Sequence, residues 1–280
     1  CSSDLGLGPL SVQDERARFR HSFVEGAGRL HIHPWRGSRV SVQVGIGWQS
    51  YDPDGYAPVS DDPSLATAVQ NGTFPGLPPG FDGYVAYRQR IELRLDTREV
   101  APAPRHGVKL EVMAEQGVDL TSAVDRRWVR YGGVASAFVD IANERVISLH
   151  VLADLVDPLG AAEVPFLEQA TLGASMLRMP GFLQNQLIGR SAAVATIRYS
   201  YPVWVFLDGS LFVSAGNVFD ARFAGFDPEL LRLAWGFGLA SLGDRDHGFE
   251  LTLAFGTEPF ASGAEIESVR LTVGGQAGFF

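Results

Sequence analysis

The sequence predicts an all-β fold, a transmembrane antiparallel β-barrel of about ten to twelve strands with long extracellular loops and short periplasmic turns. Three observations predict it. Apolar residues recur with period two along nearly the whole chain. The segments so defined exceed the ~5–6 residues usual in soluble sheets and match the ~9–11 that a tilted strand needs to cross a bilayer. The gaps between them mostly alternate long and short, as barrels of the outer membrane do.

Residues 1–38 read as a tether with room for extra strands, because Phe19, Phe23, Leu30 and Ile32 sit among charges; residues 39–280 read as the barrel domain. Cys1 opens the chain, with Ser2, Ser3 and Asp4 behind it. A processed bacterial lipoprotein starts this way, which makes Cys1 a candidate lipidation site, and a chain cropped at an arbitrary residue could start this way too. Over 39–51, Val40, Val42, Val44, Ile46 and Trp48 alternate with polar or small residues. The segment 85–96 is sharper, with Val85, Tyr87, Ile91, Leu93 and Leu95 on one face and Arg88, Arg90, Glu92, Arg94 and Asp96 on the other. In a barrel that charged face lines the lumen, where opposite signs pair. Further strands are expected at 107–118, 127–141, 145–156, 191–201, 203–216, 230–242, 248–257 and 266–280. The loops near 52–82, 157–190 and 217–230 then face outward, and the turns near Asn143, Pro202 and Asp244 face the periplasm. Aromatics gather near strand ends, as in Trp48 with Tyr51, Trp128 with Tyr131, and Tyr199 and Tyr201 with Trp204, where two interfacial girdles would lie.

Composition excludes several function classes. The net charge of −9 gives no basic face for nucleic acid. One cysteine cannot form an internal disulfide, and no CxxC or HExxH occurs. His31 and His33 lie two apart but lack an obvious third metal ligand. His150 beside Ser148 is the nearest approach to a hydrolase, yet same-strand neighbours do not make a triad. No metal, cofactor or enzymatic activity is therefore expected. No stretch approaches the ~20 apolar residues of a membrane helix. The mean hydropathy of +0.05 suits a barrel, which hides apolar surface in alternate residues. Alternation alone also fits a soluble secreted β-sandwich; strand and loop lengths favour the membrane.

Four segments, covering roughly 83–280 in order, carry a family resemblance. They are Leu93-Arg94-Leu95-Asp96-Thr97-Arg98-Glu99 with Pro104 and Gly107; Val164-Pro165-Phe166-Leu167-Glu168-Gln169 followed by Leu172-Gly173-Ala174 and Leu177-Arg178-Met179-Pro180-Gly181-Phe182; Ile197-Arg198-Tyr199-Ser200-Tyr201-Pro202-Val203 running into Phe212-Val213-Ser214-Ala215-Gly216-Asn217-Val218-Phe219; and the terminal Phe280. The chain resembles the BamA/TamA-like assembly barrels of the bacterial surface antigen superfamily. The resemblance implies an outer-membrane location, outer-membrane lipids and other outer-membrane or periplasmic proteins as partners, and Phe280 as the terminal barrel signal. It also implies a lumen loop carried by Arg178, Gly181 and Phe182. The implied activity is insertion or translocation of other proteins through a weakly paired seam at the strand 266–280; a structural barrel or small pore is the alternative.

Two departures bear on that activity. The family's Arg-Gly-Phe tip has Pro180 before Gly181, and the Asp expected before Ala-Gly-Asn is Ser214, so both halves of the family's charge pair are absent together. This suggests divergence toward an anchoring role. The segment 157–190 is too long and oily to extend into water, so it is expected to fold into the barrel with Phe182 buried. Arg178 then needs a carboxylate, for which Asp208 and Glu92 are the candidates. The family barrel has sixteen strands, more than can be counted here.

Overall fold

The computed structural model describes residues 2–4, 8–10, 17–54, 63–98, 105–122, 124–241 and 248–276; Cys1, Glu99, Pro104, Asp244 and Phe280 lie outside the described residues. Strands occupy the alternating segments: β1 (Ser2–Asp4), β2 (Arg18–Ile32), β3 (Ser38–Asp52), β4 (Tyr84–Asp96), β5 (Gly107–Asp119), β6 (Arg127–Ala142), β7 (Arg145–Pro158), β8 (Ala170–Leu172), β9 (Leu187–Gly189), β10 (Ser191–Trp204), β11 (Leu207–Phe219), β12 (Arg232–Ser241), β13 (Gly248–Thr257) and β14 (Ile266–Gln276). A six-residue helix, α1 (Leu65–Gln70), lies in the β3–β4 connection and is N-capped by the Ser64 hydroxyl, which accepts from the Thr67 amide.

Twelve strands form one antiparallel sheet in which each pairs with its neighbour in sequence, except that β7 pairs with β10. The short strands β8 and β9 pair with each other inside that connection. Among the described residues no ladder joins β14 to β1 or β2, so β1 and β14 are the ends of the sheet. This up-and-down order puts the connections 53–83, 120–126, 159–190, 220–231 and 258–265 at one end and the mostly shorter connections 33–37, 97–106, 143–144, 205–206 and 242–247 at the other.

The turn expected at Pro202 is displaced: β10 continues through Pro202, which pairs with Asp208, and turns at Val205–Phe206. Beyond Ser200 this strand has no partner on its β7 side. A proline there lacks a donor that no neighbouring strand would have used.

The two faces differ in the sense opposite to a soluble protein. Val42, Val44, Ile46, Trp48, Leu149, Val151, Leu211, Val213, Trp235, Phe237, Leu271 and Val273 are exposed on the outer face. On the inner face of the same sheet Ser41, Gln49, His150, Asp154, Thr196, Ser210 and Ser214 are buried. A sandwich in water would not expose such a band, so the soluble alternative falls. In a bilayer that band faces lipid and the polar lining is internal. An amide pair interrupts the band: Gln89 and Gln116 lie opposite each other, and the Gln89 amide donates to Gln116 Oε1 at 2.8 Å.

Candidate functional site

The connection 159–190 leaves β7 and returns in its sheet neighbour β10, so both ends are fixed side by side. Its apolar residues cannot remain in water. Val164, Phe166, Leu172, Met176, Met179 and Phe182 are all buried, and most join Trp128, Leu152 and Val194 of the strands in one cluster. The segment folds against the inner face of the sheet, and Phe182 is 0% exposed.

The tip rests on the last two strands. A Cβ on Gly181 would lie 2.5 Å from the Phe255 carbonyl oxygen of β13, so only glycine permits this approach. The Phe182 ring covers Gly256, where a Cβ would stand 2.9 Å from it. The Ser268 hydroxyl of β14 donates to the Gly181 carbonyl at 2.8 Å, and the Arg270 guanidinium donates to the Phe182 carbonyl. Arg232 of β12 lies over the Phe182 ring, 5.9 Å from its centroid.

The flank of the loop is tied to the opposite part of the sheet. Both terminal nitrogens of Arg178 donate to Asp154 Oδ2 of β7 at 3.1 Å, and one also donates to the Thr171 carbonyl at 2.8 Å. Asp154 also accepts from Arg130 of β6, at 2.9 Å and 2.5 Å. Earlier in the loop, Glu168 accepts from Arg88 of β4, at 3.2 Å through Nε and again through a terminal nitrogen, and from the Tyr84 hydroxyl at 2.9 Å. A cavity of about 100 Å³ remains where Arg178 and Asp154 face Arg90, Glu92 and Glu111. The loop is thus a brace: charged contacts hold it to β4 and β7, with Arg130 of β6 sharing the Asp154 carboxylate, and backbone carbonyls hold its tip to β14.

The partner expected for Arg178 is corrected. Glu92 instead pairs with Arg39 at 3.1 Å and Arg90 at 3.2 Å on the wall itself. Asp208 pairs in register with Pro202 and Ala240 near the tight-turn end of β11, away from the loop's side of the sheet. Arg94 contacts Asp96 at 2.6 Å and Glu111 at 3.6 Å. Of the expected lumen residues the structure therefore brings Arg88, Arg178, Gly181 and Phe182 into the brace, and leaves Arg90, Glu92, Arg94 and Asp96 as a wall ladder. Ser214, at the position of the family's Asp, is buried and accepts from the Thr196 hydroxyl at 2.8 Å.

His31 contacts the Ser41 hydroxyl at 2.8 Å, and His33 the Ser38 carbonyl at 3.1 Å. His150 sits between the hydroxyls of Ser136 and Ser148, at 2.9 and 3.0 Å. Sequence reasoning missed Asp154, Arg130, Glu168, Ser268 and Arg270. A signal for Asp154 existed: it falls in phase with Ser148, His150 and Leu152 on the inward face of β7, where a carboxylate needs a cation.

The model of the Omp85 superfamily domain matches residues 82–242. Among solved structures, the chain is similar to BamA from Haemophilus ducreyi lacking POTRA domains 1-3, with a TM-score of 0.67 and 15% identity over 98% of this chain and 57% of that one. It also matches the translocator domain of autotransporter NalP from Neisseria meningitidis, with a TM-score of 0.33 and 12% identity over 92% of this chain and 82% of that one. No curated protein matches. The chain spans 57% of the BamA chain, so that likeness bears on fold. The family match covers more than half of the sequence, includes the strands β4 to β7 and β10 to β12 and the whole inward loop, and agrees with an outer face built for lipid; the chain belongs to the Omp85 superfamily of bacterial outer-membrane barrels.

Proposed function

We propose that the chain is a non-enzymatic barrel that inserts or translocates other proteins at the outer membrane. One observation supports this reading above the others: the inward loop grips β14 through Ser268 and Arg270 while the ladder on the far edge of β14 is vacant among the described residues. An edge strand held in place but unpaired offers its backbone groups to an incoming strand. On β14 the outward Val269, Leu271 and Val273 give way to Gly274 and Gly275, and glycine-rich pairing is weakly specified in register, which suits clients of differing sequence.

The replacement of the family's charge pair by Pro180 and Ser214 favours a second reading, in which the barrel has lost insertion and anchors periplasmic or outer-membrane partners. Depletion of the protein in its own cells separates the two. Insertion predicts a fall in the amounts of other folded outer-membrane barrels. Unchanged barrel levels together with release of a co-purifying partner would support anchoring and defeat insertion.

A further inference from the structure

The tight turn between β10 and β11 carries an apolar tip that the insertion reading does not use. Val203 is 48% exposed, Trp204 67%, Val205 93% and Phe206 59%. Beyond Ser200, β10 is paired with β11 alone, so the tip extends about four residues, roughly 13 Å along the strand, past the start of β7. The stacked rings of Tyr199 and Tyr201, with centroids 5.4 Å apart, stand at the level where β7 changes from the apolar Ile147 to the charged Arg145. On β7 that level marks the edge of the lipid-facing band. Past the same level, the β6–β7 turn is polar, with Asn143 and with Glu144 bound to Arg105 at 2.5 Å. The β10–β11 tip instead continues the apolar character of Ile197, Leu211 and Val213 beyond the tyrosines.

We propose that this tip is a membrane finger whose Trp204, Val205 and Phe206 side chains are seated in the phospholipid leaflet at the tight-turn end, the periplasmic leaflet in the expected orientation. Phospholipid is the occupant because the tip is continuous with the lipid-facing band. Its residue types are also those that favour the headgroup–acyl boundary, where a tryptophan or phenylalanine ring lies flat among chains. A register shift between Pro202 and Trp204 breaks the regular alternation, so neighbouring tip residues are not forced onto opposite faces. The finger would fix the depth and tilt of the β10–β11 side independently of the inward loop.

The test uses the full chain with Cys1→Ser, its only cysteine removed, and Val205→Cys carrying a nitroxide label, in vesicles of phosphatidylethanolamine and phosphatidylglycerol. Collision with molecular oxygen, which concentrates in lipid, is compared with collision with a water-soluble nickel chelate. Ile197→Cys serves as the lipid reference and Asn143→Cys as the water reference at the same end. The expected result is an oxygen-to-nickel ratio at Val205 several-fold above that at Asn143 and close to that at Ile197. A ratio equal to that at Asn143 overturns the proposal by placing the tip in water. Shielding from both reagents overturns it by placing the tip against protein. A water-like Ile197 would overturn the barrel placement as well, which a failure at Val205 alone does not.

Discussion

Asp154 carries two guanidiniums on one carboxylate at 1% exposure, which makes its loss costly. Removing it leaves Arg130 and Arg178 facing each other across a low-dielectric interior. Asp154→Ala should therefore destabilise the folded barrel by about 3–5 kcal/mol. Arg178→Met should cost less, since Asp154 keeps Arg130 and the side chain of Arg178 is 30% exposed. Asp208→Asn should leave the loop unaffected. Urea titration of folded against unfolded bands on unheated gels measures all three, and equal losses at Asp154 and Asp208 would contradict the brace. Phe182→Ala should lower stability by about 3–5 kcal/mol, because its fully buried ring packs directly over Gly256 and its removal leaves a cavity. The partner of Arg178 was not legible in the sequence. Alternation tells which residues of a strand face inward, but which inward carboxylate meets a loop depends on where the loop lies across the sheet, and that is set by the packing of Phe166, Met179 and Phe182.

Strand positions, by contrast, were legible almost throughout. The bounds of β4, β5, β6, β7 and β13 follow directly from alternation, because in a barrel one face meets lipid and the other does not, leaving few residues of ambiguous phase. The exceptions are β2, offered only as room for extra strands because charges break its alternation, the short β8 and β9 inside the loop, and the end of β10, where alternation cannot tell a strand that outruns its neighbour from a turn and a proline suggested the turn. The pair Gln89 and Gln116 provides an element-scale test, since on a lipid-facing surface each amide depends on the other. Gln89→Leu should cost about 1–3 kcal/mol by stranding Gln116, whereas the double replacement Gln89→Leu with Gln116→Leu should be close to neutral or stabilising. A double-mutant cycle in refolding titrations reads the difference; additive losses would place the pair outside the lipid-facing band.

At the scale of the molecule the loop fills the space that the sheet encloses, so its removal should open that space to ions without dismantling the ladders. A variant in which residues 174–186 are replaced by a short glycine–serine link should still insert and still migrate faster unheated than boiled. Its conductance in planar bilayers should rise well above that of the intact chain. Failure to insert would mean that the clustered side chains of the loop, rather than strand pairing, hold the sheet together. The order in which the chain meets its contacts has a kinetic consequence. The ion-pair anchors of the brace, on β4 and β7, precede the loop in sequence, and the side chains that hold its tip carbonyls, Ser268 and Arg270, follow it. Those earlier strands are joined by hairpins of small sequence separation, which close quickly, while contacts between residues 181 and 268 must wait for a long loop to close. The loop then acts as a former on which the final hairpin is wound, so weakening its tip should slow the last stage of assembly while leaving the first stage at its normal rate.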